Sequence, residues 1–477
     1  MEFQHDPVGL AAAVRRMNVA DDGADAAAPA QSPWSRCGRS VARAFMGAQR
    51  WGRIQRREQL AQLRVGLRQA LGESDNPVLV HVVPYDIGKL QSGGGRRIAG
   101  MARSLSSKFN VFIVSSVWSA NSISMTRIAP GCHLVALPVE ASFWEQCVRI
   151  NAVRGAGVFT FPDHFELLRE FQAVLDLLSP HARAWGFTSP PAWPVVRRYR
   201  RPEQAVFYDA HDDYACFLQN SYGCTDLRLV RRLVDMEREV LAQTTLAVYC
   251  TENDRDAARM RCAPAVPPMI VVPNGVDAEA CQPVFPGRAW EIGQAIGWKR
   301  PIVVFVGAHH RPNLEALDCI VRDLAPAFPG VVFVAAGVNL TAFREHGGIP
   351  PGDNVVFAGP VSEGIKEALF SLASVALAPM RSGTGSSLKI PDYVAHGKIV
   401  VGTPIGLRDF ESLTHFASVI QAEDVGGALG QVLARLARAP AAFDEACRAA
   451  REEVQRIWDW SVVARPLVEA LRIDGRA

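Results

Sequence analysis

The stretch VALAPMRSGTGSSLKIPDYVAHGKIVVGTPIG, residues 375–406, decides the fold. Its apolar segments Val375–Ala378 and Ile399–Val401 have the length and composition of buried strands. Between them lie a loop of small residues and a segment of helical length, in which Pro391 is acceptable only near a helix start. A strand, a helix and a second strand in this order are typical of a parallel sheet covered by helices.

The same alternation extends outward from this stretch along the chain. Candidate strands before it are Val78–Val83, Val111–Ser115, His133–Leu137, Val158–Phe161, Ala205–Tyr208, Leu246–Tyr249, Ile270–Val272, Ile302–Val306, Val331–Ala335 and Val355–Phe357. Segments of helical period lie between most of them, and the pattern restarts after the prolines between 273 and 286. We therefore predict an α/β fold with two Rossmann-like, doubly wound parallel-sheet domains facing a cleft, over residues 76–275 and 276–460.

Length and charge exclude several classes of protein. The chain has 477 residues, too many for one compact core, and its 51 basic and 48 acidic residues give a net charge of +3. Such a balance gives no overall field for nucleic acid, so no nucleic-acid partner is expected. The ten cysteines are scattered without a Cys-x-x-Cys pair, and no apolar run reaches the length of a membrane span. These features predict a cytoplasmic protein without a metal site.

Residues 1–75 differ from the rest. Residues 1–35 are rich in Ala and Asp and are predicted to be a disordered head. Between 36 and 70 there are nine arginines and one acid, Glu58, and leucines recur at helical spacing towards the end of the stretch. This basic amphipathic helix is predicted either to contact the anionic inner face of a membrane peripherally, or to pack on the next domain with its basic face in solvent.

Two loops carry the candidate site. After the first strand, Gly94 and Gly95 open a helix and would let backbone N–H groups approach an anion. In the second loop, Ser386 and Ser387 are candidate N-caps of a helix whose free N–H groups face phosphate. Lys389 and Asp392, one turn later, share a helix face, where they suit a diphosphate and the two hydroxyls of a ribose. The alternative is a capped helix with an exposed ion pair.

In this setting the chain resembles the GT-B glycosyltransferases, and most closely their retaining, family-4-like group. The matching segments, in chain order, are Gly93–Gly95, Val272–Asp277, Val304–Gly307 with Pro312, Asn313 and Leu317, Gly383–Gly406, and Trp460–Ser461. They resemble the family's N-terminal glycine loop, interdomain hinge, start of the C-terminal domain, donor-binding segment and terminal helix. The last implies that residues 461–477 return to the N-terminal domain. The resemblance does not extend to residues 1–75.

The resemblance also implies roles for individual residues. His211, after the strand Ala205–Tyr208, matches the histidine beside the transferring sugar, and it or Asp209 would be catalytic. Lys389 would contact the donor diphosphate in place of a metal, and Asp392 would hold the ribose. The remaining donor-binding candidates are Gly94, Gly95, Gly307, Arg311, Val361, Ser386 and Ser387. Arg311 would replace a basic residue that the family usually has nearby, and Val361 lies in a turn resembling the one that contacts the base.

Besides the missing basic residue near Arg311, a second position departs from the family pattern. The family's first glutamate of a spaced pair corresponds to Thr384, so the identity of the sugar is not readable from the usual pattern. The resemblance implies a metal-independent, hexosyltransferase-type enzyme without a cofactor. It would transfer a sugar from a UDP- or GDP-sugar to a glycan or lipid-linked acceptor in polysaccharide or glycoconjugate biosynthesis. A non-catalytic GT-B subunit that binds nucleotide or glycan, and a GT-B nucleotide-sugar epimerase, remain alternatives.

Overall fold

The structure is a computed structural model and describes residues 48–88, 90, 92–117, 122–151, 160–216, 219, 224–383 and 385–471. The predicted head and Thr384 lie outside these residues. The described chain forms two compact units: the first contains residues 48–272 and 464–471, and the second contains residues 273–463.

The first unit is built on an eight-stranded sheet with the order β3-β4-β2-β1-β5-β6-β7-β8. Its strands are β1 (Val78–Val83), β2 (Asn110–Val117), β3 (Ser124–Ala129), β4 (Cys132–Pro138), β5 (Ala182–Thr188), β6 (Ala205–Ala210), β7 (Leu246–Tyr249) and β8 (Met269–Val271). All neighbours pair in parallel except β3 and β4. β1, β2 and β4 are buried along their whole length, as expected for strands covered on both faces.

Helices cover this sheet. They are α1 (Ala48–Gly72), α2 (Gly93–Leu105), α3 (Ala141–Asn151), α4 (Thr160–Asp163), α5 (Arg169–Leu178), α6 (Trp193–Tyr199), α7 (Leu227–Gln243) and α8 (Glu252–Cys262). The helix formed by Arg465–Ala470 also belongs to this unit and packs against α2. α2 begins where β1 has ended, so the glycine loop lies at the carboxyl edge of the sheet.

The second unit contains a six-stranded, wholly parallel sheet with the order β11-β10-β9-β12-β13-β14. Its strands are β9 (Ile302–Val306), β10 (Val332–Ala336), β11 (Val355–Gly359), β12 (Val375–Ala378), β13 (Ile399–Gly402) and β14 (Val419–Gln421). The central strands β9 and β12 pair directly although they are far apart in sequence, so the loops after them lie at the same edge. Ligands of open parallel sheets bind at such an edge.

The helices of the second unit complete the fold. They are α9 (Pro286–Ala295), α10 (Arg311–Cys319), α11 (Ala325–Ala327), α12 (Leu340–Glu345), α13 (Glu363–Leu372), α14 (Lys389–Ala395), α15 (Val425–Arg438), α16 (Asp444–Ile457) and α17 (Trp460–Val463). α18 is the helix Arg465–Ala470 of the first unit.

Sequence patterns placed most strands to within two residues, but one prediction was wrong. The segment Val158–Phe161 was predicted to be a strand, whereas Thr160 and Phe161 lie in α4 and the two residues before them are outside the described chain. A short apolar run does not distinguish a strand from a buried helical turn. Three strands, β3, β5 and β14, were missed, because each is short or interrupted by polar residues and glycine.

The basic helix α1 packs on the first unit through one face. Leu63, Leu67 and Ala70 are buried in its core, while Arg57, Arg64 and Arg68 are exposed. The structure therefore shows the arrangement in which this helix packs on the adjacent domain with basic side chains in solvent. Among the residues that the structure describes, none of the helices is long and apolar enough to cross a membrane.

A buried lysine ties together three backbone segments of the second unit. Lys398, one residue before β13, is 1% exposed, and its Nζ donates hydrogen bonds to the carbonyl oxygens of Val284, Phe370 and Ala373. An ammonium has three donors, so all three are used here. Burial lowers the pKa of Lys398 to about 7. These bonds fix the end of α13 and the segment before α9 to the sheet.

We expect Lys398→Met to lower the stability of the second unit by about 3 kcal/mol, because buried carbonyls would lose their donor at a cost of ~1–3 kcal/mol each. The measurement is the urea midpoint of the full chain followed by tryptophan fluorescence. Lys299→Met, at an exposed position of the same unit, is the matched control. Equal midpoints for the two variants would contradict the role given to Lys398.

Candidate functional site

Lys389 is the first residue of α14 and is half-buried at the carboxyl edge of the second sheet. Its Nζ donates a hydrogen bond of 2.7 Å to Oδ1 of Asn313 and lies 3.6 Å from Sδ of Met380. The ammonium is also 4.5 Å from the ring centre of Phe305, which permits a cation–π interaction. Residues of β9, α10 and the loop after β12 thus surround one positive charge.

This environment disfavours the charged form of Lys389. Burial, and then the positive charge of Arg408, lower the pKa of Lys389 to about 7. An anion that entered the site would reverse both effects, because it would compensate the desolvated charge and the neighbouring guanidinium. The side chain is therefore able to gain a proton when it binds a phosphate group.

Asn313 and Gly307 explain why Lys389 is held in this place. A side chain at Gly307 would put its Cβ 2.8 Å from Cγ of Asn313, so glycine allows the asparagine to lie against the end of β9. Asn313 Nδ2 also donates to the carbonyl of Ala308 at 2.8 Å, which orients its Oδ1 acceptor. The predicted donor-binding residue Gly307 therefore lies beside Lys389, and it acts at least in part by making room.

The small-residue loop after β12 is fixed by bonds from three directions. Arg408 Nε donates to the carbonyl of Gly385 at 2.7 Å, and Asn274 Nδ2 donates to the carbonyl of Ser386 at 3.0 Å. Ser382 Oγ donates to Oε2 of Glu315 at 2.5 Å. Gly383 has φ +143° and packs against the Arg408 guanidinium, a place that a side chain would not share. Specific hydrogen bonds therefore determine the path of this loop, beyond what the start of a helix requires.

The prediction that Ser386 and Ser387 cap the helix was wrong. α14 begins at Lys389, its N-cap is Leu388 in the right-handed helical region, and no side chain caps it. Ser387 is buried, and Ser386 contributes its carbonyl oxygen to Asn274. The helix starts later than the serines because Pro391 then falls within its first turn, where the missing N–H costs nothing.

Asp392 does not share the surroundings of Lys389. It is buried, and its carboxylate accepts from Lys366 Nζ at 3.3 Å and lies 3.3 Å from Nδ1 of His396. The two side chains were predicted to lie together on one side of the helix and bind one ligand. In the structure, Lys389 and Asp392 have different partners. A carboxylate already engaged by two cationic partners would have to exchange one of them to accept from a ribose.

Cys281, Asp392 and His396 place possible metal-binding atoms within 4.8 Å of one another. His396, however, contacts the carbonyl of Asp392 at 2.6 Å through Nδ1 and Oε1 of Glu367 at 2.7 Å through Nε2. Although burial lowers its pKa, the bonds to Cys281 and Glu367 and the charge of Asp392 more than offset this and raise the pKa of His396 to about 10. An imidazolium has no lone pair for a metal, so we interpret this cluster as an ion-pair network.

Two further donor-binding candidates lie at the same edge of the sheet. Arg311 opens α10, is 67% exposed and pairs with Glu315 one turn along its own helix at 2.9 Å. Such an exposed pair is weak, so Arg311 is available to exchange partners. Val361 is half-buried in the turn between β11 and α13. Arg311 thus follows the carboxyl end of β9 and Val361 follows that of β11, and β10 lies between these two strands.

In the first unit, Gly94 and Gly95 of the glycine loop have different surroundings. The N–H of Gly95 donates to Oγ of Ser92, the N-cap of α2, at 3.1 Å, so this N–H is already used. A Cβ at Gly94 would lie 3.1 Å from the Tyr85 hydroxyl and 3.3 Å from Nδ1 of His211. Gly94 therefore lets the loop approach the predicted catalytic histidine, and the expected anion contact from Gly95 requires that the cap be given up.

His211 follows β6, as predicted, and is mostly buried with an exposed edge. Its Nε2 lies 2.9 Å from Oδ2 of Asp209, and its Nδ1 lies 3.1 Å from the Tyr85 hydroxyl. Asp209 has a fully buried side chain and accepts from Arg97 through Oδ1. Asp209, which was predicted to be catalytic, is therefore enclosed in the structure and contacts His211 directly.

Sequence reasoning missed several residues that hold the candidates in place. Asn274 and Asn313 stood in segments quoted for the family resemblance, but no role was assigned to them. Tyr85, Arg97 and Arg408 are brought in by the fold from distant parts of the chain. Of these residues, only Arg97, two positions after Gly95, offered a local signal, since an arginine on a predicted buried helix face needs a partner.

Part of the second unit matches a known protein family in sequence. Residues 300–438, which include Gly307, Asn313 and Lys389, match the family described as Glycosyl transferases group 1. No curated protein is similar enough in sequence to match the chain.

Solved structures match most of the chain at low sequence identity. Sucrose-phosphate synthase from Thermosynechococcus elongatus aligns with a TM-score of 0.60 at 16% identity, covering 82% of this chain and 98% of the other. Anabaena HepE in complex with UDP and glucose aligns with a TM-score of 0.57 at 13% identity, covering 82% and 98%. An Escherichia coli trehalose-6-phosphate protein bound with UDP-2-fluoro glucose aligns with a TM-score of 0.56 at 12% identity, covering 83% and 100%. The predicted GT-B fold and the predicted glycosyltransferase domain are confirmed.

We expect Lys389 to react with a trace of acetic anhydride at pH 7.5 at least tenfold faster than the exposed Lys108 and Lys299. With a pKa of about 7 a majority of its amines are neutral and nucleophilic, against about 0.1% for a lysine of pKa ~10.4. The advantage should shrink above pH 9, where the reference lysines also begin to lose their protons. Mass spectrometry of tryptic peptides measures the three rates, and equal rates at pH 7.5 would contradict the lowered pKa.

Proposed function

We propose that this chain, a glycosyltransferase with the GT-B fold, transfers a hexose from a UDP- or GDP-sugar to a glycan or lipid-linked acceptor. The proposal includes retention of the anomeric configuration and independence of metal ions and cofactors. Its place in the cell would be the synthesis of a polysaccharide or another glycoconjugate, in the cytoplasm.

The observation that carries the proposal is the half-buried ammonium of Lys389. It lies at the carboxyl ends of β9 and β12, within the segment that matches the glycosyltransferase family, and its oxygen partner is a neutral amide. A diphosphate is the leaving group of a nucleotide sugar, and negative charge grows on it as the glycosidic bond breaks. A cation in a site of low polarity stabilises that charge strongly, which is the task a metal has in other transferases.

The rest of the donor would be bound by residues near Lys389. Arg311 is exposed and weakly paired, so it is a candidate for a second phosphate contact. Gly307 permits close approach at the end of β9, and Val361 would lie against the base. Asp392 would bind the ribose hydroxyls only by exchanging its contact with Lys366, and we therefore rank it below the others.

Residues 76–275 are the proposed acceptor domain, most of which lies in the first unit, and this domain would supply His211 to the reaction. A histidine with an exposed edge beside a glycine loop can hydrogen-bond a hydroxyl of the transferring sugar and help to stabilise positive charge at its anomeric carbon. A Cβ at Gly94 would lie 3.3 Å from Nδ1 of the same histidine, so the absence of a side chain at Gly94 would leave room for the sugar there.

A second proposal concerns the basic helix. Arg57, Arg64 and Arg68 are exposed on α1, away from the buried Leu63 and Leu67, at a spacing that aligns them along the helix. A row of arginines on one face suits the anionic surface of a membrane. This contact would bring the enzyme to a lipid-linked acceptor.

We expect one or more of UDP-glucose, UDP-N-acetylglucosamine, GDP-mannose and ADP-glucose to raise the melting temperature of the wild-type chain, and Lys389→Ala to abolish the shift. Loss of one ammonium from a diphosphate site should weaken binding by about 2 kcal/mol or more, because charged hydrogen bonds are worth ~1.5–3 kcal/mol. Thermal-shift titration with and without EDTA measures both this loss and the independence of metal.

Lys299→Ala is the matched control and should keep the full shift. If no donor in the panel raises the melting temperature of the wild type, the donor site is not where we place it. If donors bind but neither hydrolysis nor transfer follows with any acceptor, the chain is a binding subunit and the proposed reaction is wrong.

Replacing Arg57, Arg64 and Arg68 together by Gln should lower binding to vesicles that contain phosphatidylglycerol by tenfold or more, since each arginine near an anionic surface contributes ~1 kcal/mol. The full chain is sedimented with neutral and with anionic vesicles. The triple variant Arg228→Gln, Arg231→Gln, Arg344→Gln has the same net charge and should bind like the wild type. Equal loss in both triple variants would show that total charge, and not this face, decides the binding.

A further inference from the structure

A buried charged network stands behind His211. The guanidinium of Arg97 is 1% exposed and donates through Nε and Nη2 to the same oxygen of Asp209, at 3.0 and 2.8 Å. Its Nη1 donates to the carbonyl of Val272 at 2.8 Å. The other carboxylate oxygen of Asp209 lies 2.9 Å from Nε2 of His211. One side chain therefore separates a buried arginine from a histidine with an exposed edge.

Stability alone does not explain this arrangement. Burying a carboxylate and a guanidinium carries a desolvation cost that well-packed apolar residues of similar volume avoid, so such pairs are often neutral for folding. Here the pair is combined with a histidine whose side chain is 11% exposed and whose Nδ1 lies close to Gly94. A buried ion pair that contacts a partly exposed histidine is suited to control the orientation and protonation of that histidine.

The charges determine where the protons of the network lie. Burial alone raises the pKa of Asp209, but the charge of Arg97 and the contact with His211 more than offset this effect, so that the pKa of Asp209 is well below its usual value. Burial raises the pKa of Tyr85 well above its usual value. Asp209 is therefore an acceptor only, and Tyr85 keeps its proton.

The tautomer of the neutral histidine follows from these two partners. Because the Asp209 carboxylate only accepts, the ring carries its hydrogen on Nε2. Nδ1 then has the lone pair and accepts from the Tyr85 hydroxyl at 3.1 Å, while Tyr85 in turn accepts from Oγ1 of Thr188 at 3.1 Å. His81, buried nearby, has a pKa lowered to about 4, chiefly by burial, and adds no charge.

We propose that Asp209, oriented by Arg97, is a positioning residue that holds His211 in the Nε2–H tautomer and thereby presents Nδ1 as a hydrogen-bond acceptor at the edge of the ring next to Gly94. A hydroxyl of the transferring sugar takes the place of the Tyr85 hydroxyl on Nδ1. When no nucleotide sugar is bound, the Tyr85 hydroxyl donates a hydrogen bond to Nδ1 of His211, so this nitrogen is not buried without a partner. The sugar contact rests on the proposed function, whereas the tautomer does not.

Asp209→Asn tests the network with little change in shape. The amide keeps an oxygen for Arg97 and turns its NH₂ group towards Nε2, which must then accept. We expect the ring hydrogen of His211 to move to Nδ1, where it no longer accepts from a sugar. Long-range ¹H–¹⁵N correlation spectra of histidine-labelled full-length protein report the tautomer, and His211→Ala identifies the signal.

The kinetic readout is release of nucleotide from the donor that binds best in the panel of four nucleotide sugars, without acceptor. A histidine in the wrong tautomer loses its function while keeping its place. We expect kcat to fall about 100-fold in Asp209→Asn with KM changed less than threefold, and Tyr85→Phe to stay within about threefold of the wild type in both. Arg97→Lys should show an intermediate loss, and Arg97→Met a loss close to that of Asp209→Asn.

Asp213→Asn is the matched control for the loss of a buried carboxylate. Asp213 lies in the same loop, is buried and pairs with Arg261 at 2.6 Å, but the described contacts do not join it to the His211 ring. It should lower the melting temperature by a similar amount and leave the tautomer of His211 unchanged.

The outcomes separate the inference from the proposed function. A tautomer switch with loss of kcat supports the inference, and an Nδ1–H ring in the wild type, or an unchanged tautomer in Asp209→Asn, overturns it. A switch without loss of kcat overturns the role of His211 in turnover. If the wild type binds no nucleotide sugar, the proposed function fails, and the spectra still decide whether Asp209 sets the tautomer.

Discussion

Holding an ammonium at the open edge of a parallel sheet is the constraint from which most of the second unit follows. Burial and the charge of Arg408 disfavour the charged form of Lys389, and Asn313 is its oxygen partner among the described residues. Asn313 in turn reaches this position only because residue 307 has no side chain. The order β9 next to β12 brings these two loops to one edge although about seventy residues separate them. Gly307, Asn313 and Lys389 all lie within residues 300–438, the segment that matches the family described as Glycosyl transferases group 1.

Three buried cations show how the number of partners separates structural from functional roles. Lys398 gives its three donors to three carbonyl oxygens, and Arg97 gives its donors to a carboxylate and a carbonyl. Both have their hydrogen-bonding capacity used within the protein, so a ligand would have to displace one of their present partners. Lys389 has one oxygen partner among the described residues and a sulfur and a ring as its other neighbours. Of these three side chains, Lys389 is the one whose charged form an anionic ligand can still stabilise.

The sequence predicted the alternation of strands and helices and the place of Lys389 and His211, because periodicity and strand ends are local properties. It did not predict partners that the fold brings together. Asp392 has the spacing of a ligand residue next to Lys389, yet Lys366 from α13 engages it. Ser386 and Ser387 are good capping residues, yet bonds from Asn274 and Arg408 to this loop fix its path, and the helix begins at Lys389. β5 was missed because Gly186 breaks the apolar pattern, although a side chain there would collide with Phe207.

The difference between Asp392 and Asp209 shows why carboxylates are hard to assign from sequence. Both are buried, and each contacts a histidine and a basic side chain, Arg97 for Asp209 and Lys366 for Asp392. His396, next to Asp392, is fully buried and is engaged through both nitrogens by protein acceptors, so that network is closed. His211, next to Asp209, has an exposed edge, and its second partner is a tyrosine hydroxyl that a sugar hydroxyl can replace without leaving a charge unpaired. The same pair of residue types therefore stabilises the fold in one unit and is suited to chemistry in the other, and exposure of the histidine makes the distinction.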